Sequence, residues 1–334
     1  MRNKGQRGFP GQDDRPEPGV KGGPEAGQSA IFDEYYKFRE KGKAPKRCSR
    51  EEERTMRNTT FKRIRTLFCL ALAAMCVLGS AGAGQAEAFP HPYGVFLSVT
   101  ENIAQFKDYE TVVIDAQYYS AEELDSFRSE GHKVFTYLNI GSLEDFRDYY
   151  DEYKDLALGA YEHWEEEVWV DVSSQRWQDL VLKTLVPALL EKHVDGFFVD
   201  NCDVYYEYEK PEILEGLGVI MQALVATGKE VIINSGDMFM DAWCEKGGKW
   251  SDVITGINQE SVFSTILWDE DKFGTAEPED HEYFVSYITR YGDQGAKIYL
   301  LEYTVDEALI GEIDRFCKEH DYTYFVSDSI ELDG

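Results

Sequence analysis

The stretch Asp195-Gly196-Phe197-Phe198-Val199-Asp200-Asn201-Cys202-Asp203 decides how the rest of the chain is read. Gly196 to Val199 is short, aromatic or β-branched and continuously apolar, which is how a parallel strand buried on both faces looks, and it ends abruptly in carboxylates. Seven other segments share that form: Tyr93 to Ser98, Thr111 to Asp115, Lys133 to Asn139, Glu230 to Asn234, Asp252 to Asn258, Lys297 to Leu301 and Tyr322 to Ser327. Helical segments fall between them at Ala121 to Glu130, Ser174 to Lys192, Pro211 to Thr227, Glu279 to Gly292 and Val305 to His320. In the second of these, Trp177, Leu180, Val181, Leu185 and Leu189 recur every three or four residues, an apolar stripe made to pack on a sheet. Gly131, Gly228 and Gly295 stand where left-handed caps end helices. Alternating strands and helices over about 245 residues predict an α/β fold, a single (β/α)8 TIM barrel from Phe89 to Gly334. One connection, Asn139 to Ser174, is long, contains the strand-like Val168-Trp169-Val170-Asp171, and is expected to wall the mouth of the barrel.

The chain before Phe89 is different in kind. It holds 17 of the 34 basic residues and 11 of the 63 acidic ones, leaving 17 and 52 for the barrel, a net of about −35. Such a surface repels phosphate backbones and anionic lipid, so nucleic acid is excluded as a partner and neutral or cationic partners are expected. From Met56, Arg57, Lys62, Arg63 and Arg65 precede an apolar run from Leu67 to Leu78, and Ala86-Glu87-Ala88 closes the segment. That order is a secretory signal over residues 56–88. Its apolar run is shorter than the ~20 residues that span a bilayer, so no stable membrane insertion is expected once it is cleaved. An uncleaved anchor is the alternative. Residues 1–55 are rich in Gly, Pro and charge and are read as a disordered extension or a misassigned start upstream of Met56. Of the cysteines in the barrel, Cys202, Cys244 and Cys317, none forms a C-x-x-C pair, and all three are expected as buried packing residues.

Chemistry gathers at the carboxyl ends of barrel strands, and here those ends carry Asp115, Tyr137, Asn139, Asp200, Asp203, Asn234, Glu260, Tyr303 and Asp328. His132, His163, His193, His281 and His320 fall instead on helix ends or loops, so no metal ligand set is expected. There is no Gly-rich phosphate loop and no G-x-S-x-G elbow, and no cofactor is implied. What remains is carboxylates and aromatics. Glycoside hydrolysis needs two carboxyl groups flanking the scissile bond and aromatic faces for sugars, which Tyr118, Tyr137, Tyr149, Trp164, Tyr205, Tyr206 and Tyr303 could supply. Two other readings use the same residues: a carbohydrate-binding barrel without turnover, and a divalent-cation site at Asp200 and Asp203.

Tyr137-Leu138-Asn139-Ile140-Gly141 with Glu144 and Arg147, then Trp169 and Asp171, then Asp195-Gly196-x-x-x-Asp200-Asn201-x-Asp203 with Tyr206, resembles glycoside hydrolase family 114. The similarity runs from Tyr93 to Asp328. It implies an endo-α-1,4-polygalactosaminidase-like enzyme on a (β/α)8 barrel, with a polysaccharide substrate that is cationic when deacetylated. By the match Asp200 is the catalytic aspartate after the fourth strand and Glu260 the catalytic glutamate after the sixth. A retaining scheme then has Asp200 attack the anomeric carbon, supported by Asn201 and Asp203, while protonated Glu260 serves the leaving oxygen. That scheme requires carboxyls about 5 to 5.5 Å apart. Asp115 and Asp328 are candidates for hydroxyl or ammonium contacts, and Asn139, Glu144, Asn234 and Tyr303 for shaping the pocket. Ser142-Leu143 and Cys202 depart from the common family pattern without removing a carboxylate.

Overall fold

The computed structural model describes residues 89–270 and 272–334; the proposed extension and signal lie outside them. Eight parallel strands follow one another around a single sheet in chain order: β1 (His91–Phe96), β2 (Tyr109–Ile114), β3 (Lys133–Asn139), β4 (Gly196–Asp200), β5 (Glu230–Asn234), β6 (Gly256–Glu260), β7 (Lys297–Tyr303) and β8 (Thr323–Ser327). β8 returns beside β1, where the rings of Phe96 and Phe325 meet edge-on at 5.3 Å, so the sheet is a nearly closed (β/α)8 barrel.

Each strand splits its side chains between two cores, because successive residues point to opposite faces of a sheet. Val112, Ile114, Val134, Phe197, Val199, Val231 and Ile233 face outward, onto the helices. Val113, Phe135, Tyr137, Phe198, Ile232, Leu301 and Tyr303 fill the lumen. This double burial is why the strands read as unbroken apolar runs. A fully buried Val or Phe contributes roughly 1.5–3 kcal/mol, so the lumen is a packed core and leaves room for a ligand above it.

Most elements lie where the sequence places them, and the differences have local causes. The strand expected over Asp252 to Asn258 begins at Gly256, after a 3-10 turn at Trp250–Asp252, and runs on to Glu260. Gly256 is required there because a Cβ would come 2.8 Å from the Lys297 carbonyl oxygen. The helix expected from Val305 starts at Glu307, once Asp306 accepts the Ala308 and Leu309 N–H groups as its N-cap. In the helix after the long loop, Val181–Leu185 forms a π-turn before Val186–Glu191. Pro187 lacks the N–H that would bond one turn back, and the wider turn accommodates it. Between β1 and β2 a 3-10 turn, Ile103–Phe106, stands in for a helix. The helix Asp237–Glu245 and the hairpin Ser264–Leu267 with Lys272–Thr275 are short elements beyond those expected.

The long connection after β3 folds into an antiparallel sheet of Ser142–Glu144, Glu167–Val170 and Ala157–Ala160, in that order. Cys202 and Cys317 are buried and Cys244 is half-buried; all three are free thiols. No helix among the described residues is long and apolar enough to cross a membrane.

Candidate active site

Strand alternation delivers the chemistry to one place. Two residues beyond the lumen positions Phe198, Ile232 and Leu301 come Asp200, Asn234 and Tyr303, and two beyond the buried Asn258 comes Glu260. Four neighbouring strands therefore each place one polar side chain on the floor of the barrel mouth. The Asn234 Nδ2 donates to both carboxylates, to Asp200 Oδ1 at 3.0 Å and to Glu260 Oε1 at 2.6 Å, so these oxygens are at most 5.6 Å apart, the sum of the two bonds. The amide's orientation is set from below. Its Oδ1 accepts from Asn258 Nδ2 at 2.7 Å, and Asn258 Oδ1 accepts from the Tyr93 hydroxyl at 3.2 Å. The second oxygen of Glu260 accepts from the Tyr303 hydroxyl at 2.8 Å.

Burial raises both carboxyls above their ordinary range, but unequally in kind. On Asp200 the rise is opposed by donors from Asn234, Tyr137 and the Asn201 backbone N–H. On Glu260 it is opposed by Asn234 and Tyr303, and the negative charge of Asp200 pushes in the same direction as burial. Asp200 is thus the better-supported anion and Glu260 the better-retained acid. Activity that needs this pair falls below the pKa of Asp200 and above that of Glu260. Tyr303→Phe removes a donor that favours ionised Glu260, so the alkaline limb of a kcat–pH profile is expected to move to higher pH, with kcat down roughly 10-fold for one charge-assisted hydrogen bond. An unmoved limb in that profile would separate Tyr303 from the acid.

The cavity above the floor has a volume of about 550 Å³. Asp115, Tyr137, Glu144 and Asp203 line it, together with the four floor residues. Asp115 and Glu144 are already committed: Arg147 donates to Asp115 Oδ2 at 2.6 Å and to Glu144 through Nε at 2.6 Å, all three being nearly fully buried. Arg147→Ala would strand two buried carboxylates and is expected to cost about 3–5 kcal/mol, read as a lower urea midpoint; adding Asp115→Asn and Glu144→Gln should restore much of it. Asp203 accepts from the Gly236 N–H at 3.3 Å, so it braces the loop after β5 instead of touching Asp200. Asn139 lies behind the wall, bonded to Ser142. Asp328 is exposed and outside the cavity.

Several cavity residues carry no signal in the sequence. Glu167, Tyr161 and Trp268 line it, as does the exposed Phe146. Among the expected aromatic faces Tyr118, Tyr137, Trp164 and Tyr303 are present, whereas Tyr149 and Tyr205 pack into the outer core. Trp164 and His163 meet Trp268, the His163 and Trp268 rings stacking at 4.5 Å, which joins the loops after β3 and β6 across the mouth. Glu302, fully buried, takes the Val262, Phe263 and Ser264 N–H groups and the Ser264 hydroxyl, and so holds the segment that follows Glu260. Burial pushes its carboxyl up to about 7 against those donors. Among the described residues no three His, Cys, Asp or Glu side chains are grouped to hold a metal ion.

The glycoside hydrolase domain of PelA from Pseudomonas aeruginosa superposes with a TM-score of 0.61 at 17% identity, over 73% of this chain and 97% of that one. Aspergillus fumigatus Ega3, solved in complex with galactosamine, superposes with a TM-score of 0.58 at 16% identity, over 76% and 98%. At these identities the likeness is one of fold. Curated protein sequences yield no match. The sequence profile of glycoside-hydrolase family GH114 matches residues 85–232, which include β1 to β4, the wall and Asp200. By that match, which spans less than half of the chain, these residues are similar to glycoside-hydrolase family GH114 and mark the protein as a glycosidase.

Proposed function

We propose that this glycosidase is exported and hydrolyses a galactosamine-containing polysaccharide with retention of configuration, Asp200 acting as nucleophile and Glu260 as acid and base. The observation that carries the reading is the shared Asn234 amide, which holds one oxygen of each carboxylate no more than 5.6 Å from the other, closer than the about 6.5–9.5 Å of inverting pairs. In the first step an Asp200 oxygen bonds to the anomeric carbon as the glycosidic bond breaks, and the leaving oxygen takes the proton of Glu260. In the second, Glu260 takes a proton from water, the new hydroxyl bonds to the anomeric carbon, and Asp200 leaves as carboxylate. The Asn234 amide supports both carboxylates throughout. A cationic polymer suits a barrel of net charge near −35, and the galactosamine bound to Ega3 points to the same sugar class.

Incubation with partially deacetylated α-1,4-galactosaminogalactan is expected to release new reducing ends, with the α-anomer formed first by NMR. A β-anomer formed first would reject retention. Binding without new reducing ends would favour the carbohydrate-binding barrel without turnover. Export predicts a mature protein beginning near Phe89 in the culture medium, which N-terminal sequencing reads directly.

A further inference from the structure

Beside the nucleophile stands a carboxylate that the mechanism does not use. Glu167 faces Glu144 across the loop sheet, but Arg147 serves Glu144, and Glu167 makes no ion pair among the described residues. One of its oxygens, Oε2, is held by three donors: the Ser142 hydroxyl, Asn139 Nδ2 at 3.4 Å and Asn201 Nδ2 at 3.3 Å. Asn139 is the register partner of Asp200, and Asn201 follows it in the chain, so these bonds fix Glu167 next to Asp200. The other oxygen, Oε1, accepts nothing. It is not a buried orphan either, since Gln259 Oε1 is the one such side-chain atom among the described residues, so it opens onto the cavity that Glu167 lines. The remaining acidic lining residues are otherwise placed. Asp115 and Glu144 belong to Arg147, Asp203 to the loop after β5, Asp200 and Glu260 to the reaction, and Glu166 and Glu331 are exposed at the rim.

We infer that Glu167 is the specificity-determining carboxylate of this site, binding the protonated 2-amino group of the sugar attacked by Asp200. The inference rests on the proposed galactosamine substrate. Asp200 fixes the position of C1; in a 2-amino sugar the ammonium is carried by the adjacent ring carbon, within reach of a carboxylate mounted beside the nucleophile. A cation there meets an anion whose other oxygen is already anchored, so little side-chain freedom is lost on binding. Burial, with the charges of Glu144 and Asp200 adding to it, pushes the Glu167 carboxyl up to about 7, and an arriving ammonium relieves that repulsion.

Glu167→Gln keeps an acceptor for Ser142, Asn139 and Asn201 and removes only the charge. The test has two readouts. Hydrolysis of α-1,4-galactosamine oligosaccharides by the wild type and Glu167→Gln is expected to show kcat/KM lowered about 10–100-fold, carried by KM, the size of one charge-assisted contact. Affinities of Asp200→Asn and of Asp200→Asn/Glu167→Gln for the same oligosaccharides and for their N-acetylated counterparts are expected to show the preference for the amine form lost with Glu167. An unchanged preference overturns the inference, as does an equal loss on both oligosaccharides carried by kcat, which would make Glu167 a positioning residue acting through Asn201. If the wild type hydrolyses neither oligosaccharide, the proposed function fails on its own account, while the affinity pair still decides the role of Glu167.

Discussion

Asp200→Asn and Glu260→Gln should each lower kcat on polymer by about 10³-fold or more, since proton transfer by a positioned side chain alone contributes about 10²–10⁴. Both substitutions keep an oxygen for the Asn234 amide, which donates to Asp200 Oδ1 and Glu260 Oε1, so the floor keeps its shape and the loss is chemical. The two variants should differ in a way that separates the roles. An aryl glycoside with a good leaving group needs no proton to depart, so Glu260→Gln should recover much of its first-step rate on such a substrate and Asp200→Asn should not. The pair is also coupled electrostatically. The Asp200 charge helps hold the Glu260 carboxyl up, so in Asp200→Asn the Glu260 pKa should fall, a shift that carbon-13 NMR of the labelled carboxyl detects. Full activity in either variant rejects its assigned role. A Glu260 resonance that titrates identically in both backgrounds would reject the coupling.

Gly141→Ala is expected to lower both stability and rate although it touches no catalytic atom. A Cβ at Gly141 would stand 1.7 Å from the backbone carbonyl oxygen of Asn201 and 2.7 Å from its carbon. Nothing flexible can move aside, because the obstacle is backbone. Asn201 itself sits in the left-handed region at φ 66, directly after Asp200, and Ile140 donates its N–H to the Asp200 carbonyl at 3.2 Å. The methyl group must therefore separate the β3 loop from the turn that aims the nucleophile. Overpacking commonly costs about 1–3 kcal/mol, and this clash should lie at or beyond the upper end of that range. Displacing the nucleophile by an ångström is worth about 100-fold in rate. Urea unfolding and kcat on the same sample check both effects; wild-type values for midpoint and rate would show that the two segments are not in contact.

Much of this is legible in the sequence, and the reason is periodicity. Barrel strands buried on both faces must be apolar throughout, so Gly196 to Val199 and its counterparts announce themselves, and the polar residue that ends each one falls at the mouth by counting. The same counting put Asn139 and Asp328 among the candidates, yet Asn139 serves the wall and Asp328 faces solvent. Strand ends state where a side chain starts; they do not state what it meets.

The wall was less readable because its contacts are non-local. The pairing of Glu144 with Glu167, the docking of Arg147 between Asp115 and Glu144, and the His163 and Trp268 stack all depend on loops closing over 20 to 100 or so residues, and no short-range pattern encodes such closure. By itself, then, the sequence determined the barrel, the family resemblance and the strand-end positions of Asp200 and Glu260, since these follow from alternation and spacing along the chain. Only the tertiary structure decided that one amide of Asn234 joins the two carboxylates, that Arg147 takes two acids out of play and that Glu167 is left facing the cavity, because hydrogen-bond partnership is a matter of three-dimensional distance between strands and loops far apart in the chain.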